Sequence, residues 1–239
     1  MQNGMEKCEM KWKLAGVTLM AVFGMAAGSL SAAEKAVERV NTAAKVLEEV
    51  MGTPEHAIPS DLFNKCQCVA VIPGVKKAGL GLGGQYGKGV LSCRGKEGNG
   101  WSGPSTVRIE GGSFGLQIGG SSTDVILLIL NERGMEKLLQ SKFTLGADAA
   151  AAAGPVGRSA KAETDVQMHA EILSYSRSRG AFAGISLEGS TLRQDADDNK
   201  AIYGEEVTPR QIISGAVAPP ASVKMLIDTL NKYSPVKGK

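Results

Sequence analysis

The sequence predicts a single α+β domain, with a glycine-rich, largely antiparallel β-sheet or barrel-like core and flanking helices at both ends. Apolar residues recur at helical spacing near the two ends of the chain, whereas the middle alternates at period two with glycine on one face. Glycine is abundant, at 31 of 239 residues, and aromatic residues are scarce, at 5%. Glycine at this frequency, without a collagen period, indicates tight turns and close crossings of strands.

The first 33 residues have the pattern of a signal peptide. Three lysines precede an apolar run over residues 14–27, and small residues follow, with Ser31 and Ala33 at positions −3 and −1 of a cleavage site. The apolar run is shorter than the ~20 residues that a membrane-spanning helix needs. We therefore expect cleavage after Ala33 and an exported protein, periplasmic or extracellular.

The rest of the chain is predicted to form one domain. Residues 34–67 are its N-terminal helical segment, residues 68–232 its β-rich core with C-terminal helices, and residues 233–239 a tail. The predicted helix over residues 34–51 has one apolar stripe, which either packs in the core or lies on a bilayer. The stripe consists of Val37, Val40, Ala44, Leu47 and Met51.

Export makes a disulfide plausible, since oxidising compartments preserve cysteine pairs. Cys68 and Cys93 are the first choice, because they flank two apolar strands that could pair through the glycine-rich segment between them. Cys66 and Cys68 form a C-x-C pattern, which differs from the C-x-x-C of redox and zinc sites. We expect no structural metal site at the cysteines.

Two glycine-rich patterns resemble enzyme motifs but lack their context. Residues 79–84 fit G-x-G-x-x-G, yet Gly87 and Gly89 follow where a dinucleotide site requires a helix. Residues 111–115 fit the G-x-S-x-G of a serine hydrolase, with Ser113 as nucleophile and His169 as base, but a strand pattern follows instead of a helix. We predict a protein that is not an enzyme and has no cofactor, with the hydrolase as the weaker alternative.

An acidic segment is a weak candidate for a cation site. Asp195, Asp197, Asn199 and Glu206 match positions 1, 3, 5 and 12 of a calcium loop. Lys200 stands where that loop needs glycine, so an Asp-rich helix cap is the competing interpretation.

Basic residues near strand ends are the remaining candidates for a binding site. The formal net charge of +3 is too small to indicate a nucleic-acid-binding protein, so an anionic partner must meet a local patch. Arginine forks and lysine ammonium groups suit phosphate oxygens. The residues predicted to bind such a phosphate-bearing anion are Lys76, Lys77, Lys88, Arg158, Arg177 and Arg179.

Nine ordered stretches of the chain resemble the SYLF domain, a lipid-binding family whose eukaryotic members include an actin-binding branch. The resemblance covers about residues 35–232. The matching stretches are Val71–Gly79, Gly84–Leu91, Gly111–Gly119, Ser122–Asp124, Leu145–Asp148, Ala153–Arg158, Ser174–Gly180, Ala183–Gly189 and Tyr203-Gly204.

This resemblance implies binding to phospholipid membranes, with phosphatidylinositol lipids as ligands of eukaryotic members, and it implies no catalysis. For an exported bacterial member we expect a protein peripheral to an anionic phospholipid membrane, with the six basic residues named above binding lipid headgroups, and no nucleic acid as partner. Export also leads us to expect that actin is not a partner. A structural protein that binds another envelope protein is the main alternative.

Overall fold

The computed structural model describes residues 31–53, 57–95, 100–157, 169–178 and 181–235, without the side chains of residues 79–82 and 113–120. The described helices are α1 (residues 31–51), α2 (Ser60–Lys65), α3 (Glu132–Leu138), α4 (Ala196–Tyr203), α5 (Pro209–Ile213) and α6 (Lys224–Tyr233). The described strands are β1 (Cys68–Cys93), β2 (Ser105–Ile129), β3 (Lys142–Thr144), β4 (Ala151–Ala153), β5 (Ile172–Ser178), β6 (Ala181–Gly184) and β7 (Thr191–Gln194). The prediction of an α+β domain is confirmed: along the chain, helices precede and follow a β-rich core.

The long strand β2 organises the sheet. One of its edges pairs with β1, while the other pairs with β7 through Val107–Glu110 and with β5 through Asp124–Ile129. β3 extends the sheet beyond β7, and both β4 and β6 pair with β5. The β4–β5 pair is parallel and the other pairs are antiparallel, so the described strands form a largely antiparallel, curled sheet.

Strand β1 bends so far that its two ends meet. A disulfide joins Cys68 at its start to Cys93 at its end, with the two Cα atoms 3.9 Å apart, which confirms the pair favoured by the sequence. A Cβ added to Gly89 would lie 2.3 Å from the carbonyl oxygen of Val71. Glycine is therefore required where the second half of β1 crosses the first half.

The sequence pattern predicts that a strand ends at Pro73, and the structure corrects this. The pairing of β1 with β2 continues through a register shift between Ile72 and Val75. Gly74 occupies the left-handed region at φ 59°, and its N–H donates to Asp124 Oδ1 at 2.9 Å. Proline has no backbone N–H to donate to the neighbouring strand. At this bulge the Asp124 side chain instead accepts from the N–H of the next residue, so strand pairing continues past Pro73.

The apolar stripe of α1 packs in the core. Val40, Ala44 and Leu47 are fully buried against the face of the sheet that carries Val71 and Ile126. This favours core packing over contact with a bilayer for this stripe. Among the described helices, none has the length and apolarity needed to cross a membrane. The predicted signal peptide falls on residues 1–33, of which residues 1–30 lie outside the described part of the chain.

The C-terminal helix α6 is fastened to the domain at its end. Trp101 Nε1 donates to the carbonyl oxygen of Ser234 at 3.1 Å, and the guanidinium of Arg94 lies over the Trp101 ring at 4.5 Å. Arg94 Nε also donates to the carbonyl oxygen of Cys66 at 2.9 Å. The end of α6 and the start of β1 are thus held by the same arginine.

Candidate anion-binding cleft

An open cleft of about 420 Å³ lies between α1 and β1. Its α1 wall consists of Lys35, Glu38, Arg39 and Thr42, which recur at helical spacing on one side of the helix. Its β1 wall consists of Pro73, Gly74 and Lys76 in the bulge, together with Tyr86, Gly87 and Lys88 in the second half of the strand. The bend of β1 therefore brings two distant parts of one strand to the same wall.

Two cations of the cleft are engaged by carboxylates from the start of α4. Asp198 accepts from Arg39 and also lies 3.3 Å from Lys88 Nζ. Asp195, which is buried, lies 2.7 Å from the same Nζ. Burial lowers the pKa of Lys88, but the hydrogen bonds and charges of the two aspartates outweigh it, and the pKa is raised above its ordinary value. Lys88 is therefore fully protonated at neutral pH.

Two other cations of the cleft have no carboxylate partner among the described residues. Lys35 on α1 and Lys76 on β1 are both exposed, and they stand on opposite walls. Tyr86, with 47% of its surface exposed, lies at the same cleft. The cleft thus offers an anion two solvated ammonium groups and an aromatic ring beside the ion pairs of Arg39 and Lys88.

The predicted headgroup residues are only partly brought together. Lys76 and Lys88 line the cleft, whereas the adjacent Lys77 is half-buried and does not. Arg177 donates from Nε to Asp124 Oδ2 at 2.9 Å and also pairs with Glu49 on α1. Arg177 is directly opposite Asp124 in the sheet, so its ion pairs connect β5 with β2 and α1. The geometry gives its predicted headgroup role no support. Arg158 and Arg179 lie outside the described residues.

The acidic segment is used as a helix cap. Asp195 Oδ1 accepts from the N–H of Asp198 at 3.3 Å at the start of α4. Asn199 is buried, and its Oδ1 accepts from the Thr106 N–H at 2.7 Å, while Glu206 pairs with Lys200. The described residues contain no cluster of three acidic, histidine or cysteine side chains that could hold a metal ion. These observations favour the cap over a calcium loop.

The backbone around Ser113 does not form a nucleophile elbow. Residues 111–115 lie inside strand β2, and Ser113 is the register partner of Gly83 in β1. His169 lies before β5 rather than within a strand. An elbow requires a strand, a sharp turn and a helix in that order, so the hydrolase alternative loses its structural basis.

Several charged residues of this surface were not predicted from the sequence. Lys35 and Arg39 are four residues apart on a predicted helix, which was a usable signal, but the contact of Arg39 with Asp198 joins residues 159 apart. A row of cations in register also crosses four neighbouring strands: Lys88, Arg108, Arg193 and Lys142. The Glu110 carboxylate forms ion pairs with both arginines, at 2.7 Å from Arg108 Nε and 3.4 Å from Arg193 Nε.

The protein is thus a small α+β domain that has a basic cleft on its surface. Residues 110–233 match the Ysc84 family model, described as "Las17-binding protein actin regulator". The chain therefore belongs to the Ysc84, or SYLF, family, as the resemblance in its sequence predicted.

Known relatives agree with this family. "LAS seventeen-binding protein 3" of Saccharomyces cerevisiae is 32% identical over 209 residues, which are 82% of this chain and 45% of the yeast protein. "SH3 domain-containing YSC84-like protein 1" of Mus musculus is 32% identical over 198 residues, 80% of this chain and 58% of the mouse protein. "Protein YSC84" of Saccharomyces cerevisiae is 34% identical over 194 residues, 77% of this chain and 41% of the yeast protein. The chain thus spans about half the length of these relatives.

The comparisons correct the expectation that actin is not a partner. The family description contains the words "actin regulator", and the first of the two yeast relatives is named for binding LAS seventeen. That expectation depended on export alone, which the described residues do not test. The names of these relatives refer to binding, or to an SH3 domain, and not to catalysis.

Proposed function

We propose that this domain is a non-enzymatic binding protein that attaches to anionic phospholipid at a membrane surface through the cleft between α1 and β1. One observation carries the proposal: Lys35 and Lys76 are exposed on opposite walls of an open cleft and are unpaired within the described residues. Lysine ammonium groups on flexible stems bind phosphate as point charges and need no preformed cage.

The charges of the cleft decide which residues contribute most. Lys35, Arg39, Lys76 and Lys88 face the carboxylates of Glu38, Asp195 and Asp198, which leaves one net positive charge. Because Arg39 and Lys88 are already paired, the two free lysines supply the attraction. Each basic side chain near an anionic surface contributes about 1 kcal/mol, so binding is expected to be moderate and sensitive to salt.

The double variant Lys35→Gln/Lys76→Gln should bind vesicles containing phosphatidylglycerol roughly 30-fold more weakly than the unmodified chain, since about 2 kcal/mol of attraction is lost. Co-sedimentation at low salt measures the partition coefficient. The matched control is Lys45→Gln/Lys65→Gln, which removes the same charge from exposed lysines that do not line the cleft. Equal losses in both variants would show attraction by net charge without a site, and unchanged binding in the first variant would refute the cleft.

We also propose that the domain acts outside the cytoplasm. The disulfide between Cys68 and Cys93 supports this proposal, because such bonds persist in oxidising compartments. The signal pattern of residues 1–33 supports it independently. N-terminal sequencing of the protein recovered from cell envelopes is expected to begin at Glu34, and recovery of the intact N-terminus in the cytoplasmic fraction would contradict export.

A second candidate function is suggested by the relatives, whose family is described as an actin regulator. Under this alternative the domain binds actin or a protein that organises it. Co-sedimentation with actin filaments tests it: pelleting that saturates with filament concentration supports this function, and absence of pelleting under conditions that permit vesicle binding excludes direct binding to filaments.

A further inference from the structure

The carboxylate of Asp198 occupies the position between two cations of the cleft. It accepts from Arg39 on α1 and lies 3.3 Å from Lys88 Nζ on β1. A phosphate group that used both cations would have to bind where this carboxylate now binds. The side chain of Asp198 is 16% exposed, so solvent and solutes can approach it.

The helix that carries Asp198 is held in place by the next residue. Asn199 is buried, and its Oδ1 accepts from both the N–H and the hydroxyl of Thr106, at 2.7 and 2.8 Å. The carbonyl oxygen of Asp195 lies 2.6 Å from the same hydroxyl, so Asp195 and Asn199 share its single proton. These bonds fix the first turn of α4 on β2, so the Asp198 carboxylate can leave the cations by rotation of its own side chain.

We propose that Asp198 is an internal counter-ion that an incoming headgroup must displace, and that it makes the cleft select ligands with more than one negative charge. This inference rests on the proposed function. It assigns to Asp198 a role in specificity, separate from the attraction that Lys35 and Lys76 provide.

The selectivity follows from an exchange of charges. A headgroup with one negative charge can be held by Lys35 and Lys76, and it gains little by replacing the single charge of Asp198 at Arg39 and Lys88. A headgroup with two phosphates can satisfy the lysines with one of them and compete for Arg39 and Lys88 with the other. Because Lys88 also keeps its ion pair with Asp195, at 2.7 Å, it stays in the cleft when Asp198 leaves.

The test compares two kinds of vesicle at equal surface charge. One contains phosphatidylglycerol, and the other contains cardiolipin at half that mole fraction, so that the same number of phosphates is presented singly in one case and in linked pairs in the other. The unmodified chain should bind the cardiolipin vesicles several-fold more tightly. Asp198→Asn should bind phosphatidylglycerol vesicles about fivefold more tightly than the unmodified chain, and its ratio between the two lipids should approach one.

The control variant is Asp228→Asn, which removes the same charge from an exposed ion pair with Lys224 on α6. We expect it to leave the ratio between the two lipids unchanged. If the unmodified chain binds both vesicles equally, or if Asp198→Asn keeps the original ratio, this inference is wrong while the cleft remains a binding site. If the unmodified chain binds neither vesicle, the proposed function fails with it. The comparison on the unmodified chain does not depend on the folding of any variant.

Discussion

Replacement of Gly89 by alanine should lower the free energy of unfolding by about 3 kcal/mol, at the upper end of the range for overpacked interiors. The added Cβ would lie 2.3 Å from the Val71 carbonyl oxygen and 2.6 Å from the Ile72 Cα. Both are backbone atoms of the same strand, which cannot rotate away as a side chain could. The crossing of β1 over itself would have to open, and the wall of the cleft that holds Lys88 would move with it.

Gly84→Ala is the matched control for this substitution. Gly84 lies in the same strand, but a Cβ added there would have no atom within 4 Å. We expect its stability to change by less than 1 kcal/mol, and in the stabilising direction, because alanine reduces the freedom of the unfolded chain. Urea unfolding of both variants decides the matter, and equal stabilities would mean that β1 does not cross itself closely at Gly89.

Loss of the disulfide between Cys68 and Cys93 should cost about 3 kcal/mol, a similarly large effect. The bond closes a loop with a sequence separation of 25 residues, and loops of this length restrict the unfolded chain by roughly that amount. Since the bond joins the ends of one bent strand, its loss also weakens the β1 wall of the cleft. The double variant Cys68→Ala/Cys93→Ala, compared with the unmodified chain by urea unfolding, measures this cost.

Cys66→Ala is the control for the disulfide. Burial raises the pKa of the Cys66 thiol to about 12, so it is protonated at neutral pH and is a poor nucleophile. Cys66→Ala should retain the disulfide and most of its stability, and its unfolding midpoint should fall when a reducing agent is present throughout. Identical midpoints with and without reducing agent would contradict the stabilising role of the bond.

Local signals predicted the helices best. The apolar stripe of α1 depends on residues within a few positions of each other. The cap of α3 is equally local, since the Asn131 side chain accepts from the Gly134 N–H at 2.8 Å. The period-two pattern breaks β1 and β2 into shorter strands than the structure has. Pro73 and the central glycines look like breaks in a sequence, and only the pairing partner reveals that β1 and β2 continue through them.

The segment after β5 shows the opposite error. Residues 181–192 have one glycine-punctuated strand pattern, but the structure divides them between β6, which pairs with β5, and β7, which lies between β2 and β3. No alternation within the segment specifies that change of neighbours. The short strands β3 and β4 were missed for a related reason, since three-residue strands carry too few positions to show a period.

The candidate site could be predicted only in part. Lys76 and Lys88 were found because they lie beside strand signals, and the disulfide because its cysteines flank them. The partners that give the cleft its selectivity are not local: Asp198 meets Arg39 across 159 residues and Lys88 across 110. The partners of Arg177 are equally remote in the sequence, because the carboxylates that engage it come from α1 and β2.

The most direct measurement of headgroup binding in the cleft is a titration with short-chain phosphatidylglycerol below its micelle concentration, followed by the amide resonances of the folded chain. We expect the largest shifts at Gly74, Lys76, Gly87 and Lys88 and at the α1 residues opposite them, with little change in β6. Short-chain phosphatidylcholine should leave these amides in place. Shifts concentrated away from α1 and β1, or equal shifts with the neutral lipid, would contradict a binding site between these two elements.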